Sequence, residues 1–167
     1  MQRRHLLPRF AALASLGALA GCGFRLRGSY TFRFRNLYLA RSTSPVAQDL
    51  RLSLEGAGVR VLDERQVREQ ADVILELLGE QRQRVVVGRS ATGQVRELQL
   101  RILMRFRVFT PQGVELIPDT ELTQQRDISY TETQALAKEG EEALLFRDMQ
   151  ADLVQQLMRR LSVVQVR

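Results

Sequence analysis

The sequence predicts an α+β fold in which two helices cover one face of a mixed sheet. One observation is the order of periodicities: strand, helix, strand, a strand meander, then a long helix. The other is that each helical stretch carries a single apolar stripe, so each has one face to bury and one to leave in water.

From Gly28 to Ala40, Tyr30, Phe32 and Phe34 alternate with Thr31, Arg33 and Arg35, the period of a half-buried strand. Ser44-Pro45 reads as an N-cap with proline at the first helical position, where a missing N–H costs nothing. Val46, Ala47, Leu50 and Leu54 follow at helical spacing, and Gly56 or Gly58 ends the helix. Val59 to Leu62 is a short strand, and the charged run Asp63 to Gln70 is a connection.

Ala71 to Leu78 reads as a largely buried strand that continues to Val87, with a bulge or bend at Gly79. Arg89 to Gly93 forms a hairpin tip. On the return strand Leu98, Leu100, Ile102, Met104, Phe106 and Val108 point one way. Glu97, Gln99, Arg101, Arg105 and Arg107 point the other, with Leu103 the exception. After the turn at Thr110 to Gly113, a polar strand runs from about Val114 to Tyr130, with a break expected at Pro118-Asp119. In the last helix Leu145, Met149, Leu153, Leu157 and Leu161 form an i+4 ladder. It starts from a cap at Thr133 or close to Gly140, and the tail 162–167 is expected to fray.

Ahead of this domain, spanning 30–161, lies a segment built for export. Arg3, Arg4 and Arg9 precede an apolar run from Phe10 to Ala20 that closes in small residues. Eleven such residues cannot cross a hydrocarbon core of roughly 30 Å. Leu19-Ala20-Gly21-Cys22 then resembles the bacterial lipobox, which implies a signal peptide over 1–21, acylation of Cys22, and 22–29 as anchor and linker. Several acyl chains hold a membrane stably where one does so marginally. Gly23 rather than Asp after the cysteine resembles the outer-membrane sorting preference. Arg3-Arg4 fits either a twin-arginine or a general secretory signal.

Removing the signal takes three arginines from a formal charge of +6 and leaves about +3, so much of the basicity is discarded with it. Chromosomal DNA is no partner for an exported, anchored chain, whereas phosphate-bearing lipid suits an arginine-rich surface. With Cys22 acylated no second thiol exists, so no disulfide is available. The single histidine, His5, leaves with the signal. Ser-His-Asp and Cys-His nucleophile systems and histidine-based zinc sites are therefore excluded from the mature chain, and no Walker loop or Gly-x-Gly-x-x-Gly occurs. These absences argue against an enzyme, a cofactor or a metal centre. A carboxylate-pair hydrolase would need two acids in one cleft, and their spread suggests no such pair.

Several ordered stretches resemble the LPS-assembly lipoprotein family, LptE. They are Gly21-Cys22-Gly23-Phe24-Arg25-Leu26-Arg27-Gly28, Leu54-Glu55-Gly56-Ala57-Gly58-Val59 and Gly93-x-x-Arg96-Glu97-Leu98. The series continues with Arg126-Asp127-Ile128-Ser129-Tyr130, Leu136-Ala137-Lys138-Glu139 and Met149…Leu153-Val154-x-x-Leu157-x-Arg159. The resemblance implies two helices on a mainly four-stranded sheet, one strand fewer than the residues suggest. It further implies a non-enzymatic part of the outer-membrane LPS translocon, plugging the lumen of the β-barrel LptD one-to-one and assisting LPS transfer. The face formed by Gln99, Arg101, Arg105 and Arg107 is then a candidate partner surface, against the alternative of ordinary solvated sheet.

By the same resemblance Arg89 and Lys138 match LPS-contacting positions, where Arg forks onto phosphate and Lys acts as a compact charge. Arg84 or Arg96 could take the place of Arg89, and Lys138 could simply pair with Glu142 at i+4. The rival reading is another periplasm-facing lipoprotein, acting as a ligand-binding inhibitor or scaffold.

Overall fold

The structure, a computed structural model, describes residues 30–40, 43–62, 68–131 and 135–166. The export signal, Cys22, the linker 22–29 and the Thr133 cap lie outside the described residues. Five strands form one sheet: β1 (Asn36–Ala40), β2 (Arg60–Leu62), β3 (Val73–Arg89), β4 (Val95–Phe109) and β5 (Glu115–Ser129). Their spatial order is β2-β1-β3-β4-β5. Strand β1 is parallel to both β2 and β3, while β3–β4 and β4–β5 are antiparallel. Helices α1 (Pro45–Gly56) and α2 (Ala135–Ser162) pack on one face. The fold class is the expected α+β sandwich, and the short strand read at Val59 to Leu62 makes the sheet five-stranded.

Helix α1 begins as its sequence requires. The Ser44 hydroxyl accepts from the Ala47 N–H at 3.1 Å, with Pro45 in the first turn. Val46, Ala47, Leu50 and Leu54 are fully buried. At the far end Gly58, at φ +84°, turns the chain into β2 in a conformation that a Cβ would disfavour.

The meander β3–β4–β5 holds the main core. Leu98, Leu100, Ile102, Met104, Phe106 and Val108 all face the helices and are buried. Opposite them, Met149, Leu153, Leu157 and Leu161 of α2 have no exposed surface, whereas Leu145 is only partly covered. Gly79 does mark a register shift, between Leu77 and Gly79. The β5 break is also present: Phe106 faces Thr120 and Val108 faces Ile117, which leaves Pro118 and Asp119 in a bulge. Near the tip, a Cβ on Gly88 would come within 2.9 Å of Glu97 Cβ, so the second irregularity of β3 sits where only glycine fits.

Two expectations fail. Tyr30 to Arg35 is not strand; β1 begins at Asn36. Its neighbours begin at Arg60 and Val73, so no ladder is available upstream, and Asp72 Oδ2 accepts the Arg35 and Asn36 N–H groups at 2.8 and 2.9 Å. The alternating aromatics stack on one another instead, with Phe32 and Phe34 centroids 5.2 Å apart and Phe34 buried. Nor does the tail simply fray: Val164 is buried, and its N–H bonds to the Leu161 carbonyl at 3.2 Å.

Candidate functional site: the open face and hairpin end of the sheet

Because side chains alternate along a strand, the residues between the buried positions of β4 emerge together on the face without helices. Gln99, Arg101, Arg105 and Arg107 share that face with half-buried Leu103. Each is held in the plane of the sheet. Gln99 Nε2 donates to Asp127 Oδ1 on β5 at 2.8 Å, and Arg101 Nε donates to Gln99 Oε1 at 2.6 Å. Arg105 forks onto Asp119, with Nε 3.2 Å from Oδ1 and the second nitrogen on Oδ2. The Asp119 hydrogen bond and charge raise the Arg105 pKa above its ordinary value, so it stays cationic at any physiological pH. Arg107 Nε donates to Glu76 Oε2 on β3 at 2.7 Å, and its guanidinium lies 5.2 Å from the Phe109 ring centroid. The structure thus brings all four candidate partner-facing residues onto one polar surface that no described helix covers.

The candidate LPS contacts converge on the hairpin end. Gly88 is opposite Glu97, and Glu97 is opposite Ser129, so two strand spacings, about 10 Å, separate the ends of β3 and β5. Arg89 is exposed and donates to the Gly93 carbonyl of its own turn at 3.0 Å. Lys138 reaches the same end from α2, donating to Ser129 Oγ at 3.4 Å. Its main partner is Glu141 at 2.7 Å, i+3 rather than the i+4 alternative. Glu142 is taken by Arg84, at 2.9 Å across the helix–sheet interface. The Lys138 side chain is only 15% exposed and Arg84, though exposed, is paired with Glu142, so among the described residues Arg89 and Arg96 are the exposed cations of this end without an ion pair.

A polar network centred on buried Gln150, with exposed Arg82 and Asp49 at its ends, was missed from sequence. Gln150 of α2 accepts from Arg82 of β3 at 2.6 Å and donates to Asp49 of α1, while Arg82 lies 5.6 Å from the Phe146 ring. Gln150 is 8% exposed. The available signal was the run Gln81-Arg82-Gln83-Arg84, polar on both faces of a strand that an apolar sandwich would bury on one. A polar groove of ≈ 640 Å³ between α2 and the β5 edge was missed too, lined among others by Tyr30, Arg126, Asp152 and Arg159. Among the described residues no three carboxylates gather as a metal site, and no helix is long and apolar enough to cross a membrane.

Architecture and surface define a class first: a small α+β domain of the kind found in bacterial lipoproteins. An uncharacterized lipoprotein B from Nitrosomonas europaea superposes with a TM-score of 0.71 and 29% identity, over 84% of this chain and 90% of that one. The rare lipoprotein B from Shewanella oneidensis gives 0.64 at 23% identity over 75% and 92%, which establishes likeness of fold. The chain belongs to the LptE family, described as lipopolysaccharide-assembly, whose model matches residues 24–161. Relatives of that name, LPS-assembly lipoprotein LptE, from Yersinia pestis (strain Pestoides F) and Yersinia pseudotuberculosis (serotype O:1b) are each 29% identical to it. Each alignment covers 97% of this chain and 78% of the relative. Membership gives the chain the role of an LPS-assembly lipoprotein of the cell envelope.

Proposed function

We propose that this chain is a non-enzymatic outer-membrane lipoprotein, held on the periplasm-facing leaflet by acylated Cys22. It complexes one-to-one with the β-barrel LptD as a plug in its lumen, assists barrel assembly and helps deliver LPS to the outer leaflet. The observation that carries this reading is the open face of β3–β4–β5. A large barrel has a polar interior, and a body seated in it must offer hydrogen-bonding groups in a fixed arrangement. Gln99, Arg101, Arg105 and Arg107 are fixed by neighbours in the sheet, so little side-chain entropy remains to be lost on docking. LPS would bind at the hairpin end, where Arg89 and Arg96 are the exposed phosphate-binding groups and Lys138 adds a partly screened charge.

The test is an affinity capture of tagged protein, expressed with its own signal, from detergent-solubilised outer membranes. The expected result is co-elution of one large barrel in equal amount, together with LPS that is lost from Arg89→Asp/Lys138→Asp. Barrel capture with LPS indifferent to those substitutions would remove both basic contacts and keep the plug. Capture of no barrel would overturn the assignment in favour of an inhibitor or scaffold lipoprotein.

A further inference from the structure

The opposite end of the sheet carries charge that the proposed plug does not use. Strands β1, β2 and β3 are parallel, so their N-terminal ends gather at one edge of the domain. Each is entered from an arginine. Arg35 precedes β1, Arg60 opens β2, and Arg68 lies in the single 3-10 turn (Arg68–Gln70) before β3. Arg60 and Arg35 are contiguous, the Arg60 N–H donating to the Arg35 carbonyl at 2.8 Å, and the segment that follows Arg68 joins β1 through the Asp72 N–H on the Asn36 carbonyl at 2.9 Å.

Arg33, Arg35 and Arg60 are exposed and make no ion pair among the described residues. Arg68 lies 5.2 Å from the Phe109 ring centroid. Among the described residues the acids of this end are Asp72, Glu69 and Glu115, the last sharing a cleft with Arg68 beside Phe109. Asp72 Oδ2 is occupied by the backbone N–H groups of Arg35 and Asn36, and Glu69 is the remaining acid of the 3-10 turn. The sequence here is biased toward arginine, since residues 22–48 contain five arginines and no acid before Asp49.

From this arrangement we infer a membrane-docking surface: Arg33, Arg35 and Arg60, with Arg68 beside them, bind the anionic glycerophospholipid headgroups of the leaflet that carries the anchor. The inference rests on the acylated Cys22 of the preceding section for its geometry. Only eight residue steps join Cys22 to Tyr30, at most about 28 Å of extended chain, so this end cannot leave the neighbourhood of the headgroups. Such tethering makes weak charge contacts effective, because the second attachment is intramolecular. Guanidinium forks suit phosphodiesters, and basic residues close to an anionic surface act cumulatively.

The experiment uses the mature chain with Cys22→Ser, so that no acyl chain contributes, and measures co-sedimentation with phosphatidylcholine vesicles, plain or doped with phosphatidylglycerol. Binding only to the doped vesicles is expected. The triple variant Arg33→Gln/Arg35→Gln/Arg60→Gln should weaken it on the order of 100-fold at equal ionic strength. Arg89→Gln/Arg96→Gln at the other end should weaken it far less than the triple variant does.

Equal binding to both vesicle types, retention in the triple variant, or loss only in the hairpin-end pair would overturn the inference. So would preference for LPS-doped over phosphatidylglycerol-doped vesicles. Should the triple variant not fold, judged by its circular dichroism, Arg60→Gln and Arg33→Gln singly must each give a part of the loss, and no loss from either overturns it. Acyl labelling of the wild-type chain in cells is read separately: a missing label removes the anchor, whereas vesicle indifference with the label present removes only this surface.

Discussion

The two faces of β4 lie on one backbone, and nearly everything about them differs. On the helix side, six alternate residues from Leu98 to Val108 are buried against α1 and α2. On the other side, Gln99, Arg105 and Arg107 are tied sideways to β5 and β3 by charge-assisted hydrogen bonds, Arg101 bonds Gln99 along the strand, and no described helix lies above them. The apolar set accounts for the stability of the domain, because removing that much carbon from water is the large favourable term. Exposed ion pairs contribute little to folding, so the polar set is free to serve recognition. Period two thus interleaves, residue by residue, a set that folds the domain with a set left free to bind.

The comparison breaks most visibly at Phe106, which has no exposed surface at the centre of the covered face. Phe106→Ala should cost about 3–5 kcal/mol in a denaturant titration, by lost burial and the cavity left behind. A loss under about 1 kcal/mol would mean that the helical layer closes over the gap. An intermediate case lies at Gln150, where the covered face turns polar. Gln150→Ala removes the one buried member of a network whose outer members, Arg82 and Asp49, stay in water, and should cost about 1 kcal/mol. Gln150→Glu, which keeps an acceptor for Arg82 but sets a second carboxylate against Asp49, should recover only part of it. The smallest effect on folding belongs to the open face. Arg105→Asp/Arg107→Asp should leave the denaturation midpoint close to wild type while abolishing barrel capture. Reduced stability with capture intact would reverse the roles given to the two faces.

How far these features could be read from the sequence depends on whether their causes are local. The Ser44 cap, the Gly79 bulge, the Pro118 break and the facing of Gln99, Arg101, Arg105 and Arg107 follow from side-chain chemistry or strand period over a few residues, and each was readable. Tyr30 to Arg35 was not. Its alternation is that of a strand, but a strand needs a neighbour, and the lengths of β2 and β3 decide whether one is present. The ion-pair partner of Lys138 was hidden for a similar reason. Whether it pairs with Glu141 or Glu142 turns on Arg84, 54 positions before it, which claims Glu142 across the interface. The polar run at Gln81 to Arg84 showed that something unusual covers that part of β3, but Gln150 and Asp49 could be named only from the packing.

The bulged β5 has a consequence for self-association. It forms the long free edge of the sheet, fifteen residues that an identical molecule could extend into a continuous array. Opposite Phe106 to Phe109 its register shifts twice, and Pro118 withholds a donor there, so roughly its first third cannot template a straight partner strand. Arg126, Asp127 and Glu121 place mixed charge along the remainder, and in an antiparallel copy these would have to meet in one register to avoid repulsion. The chain is thereby kept from polymerising edge to edge with its own kind.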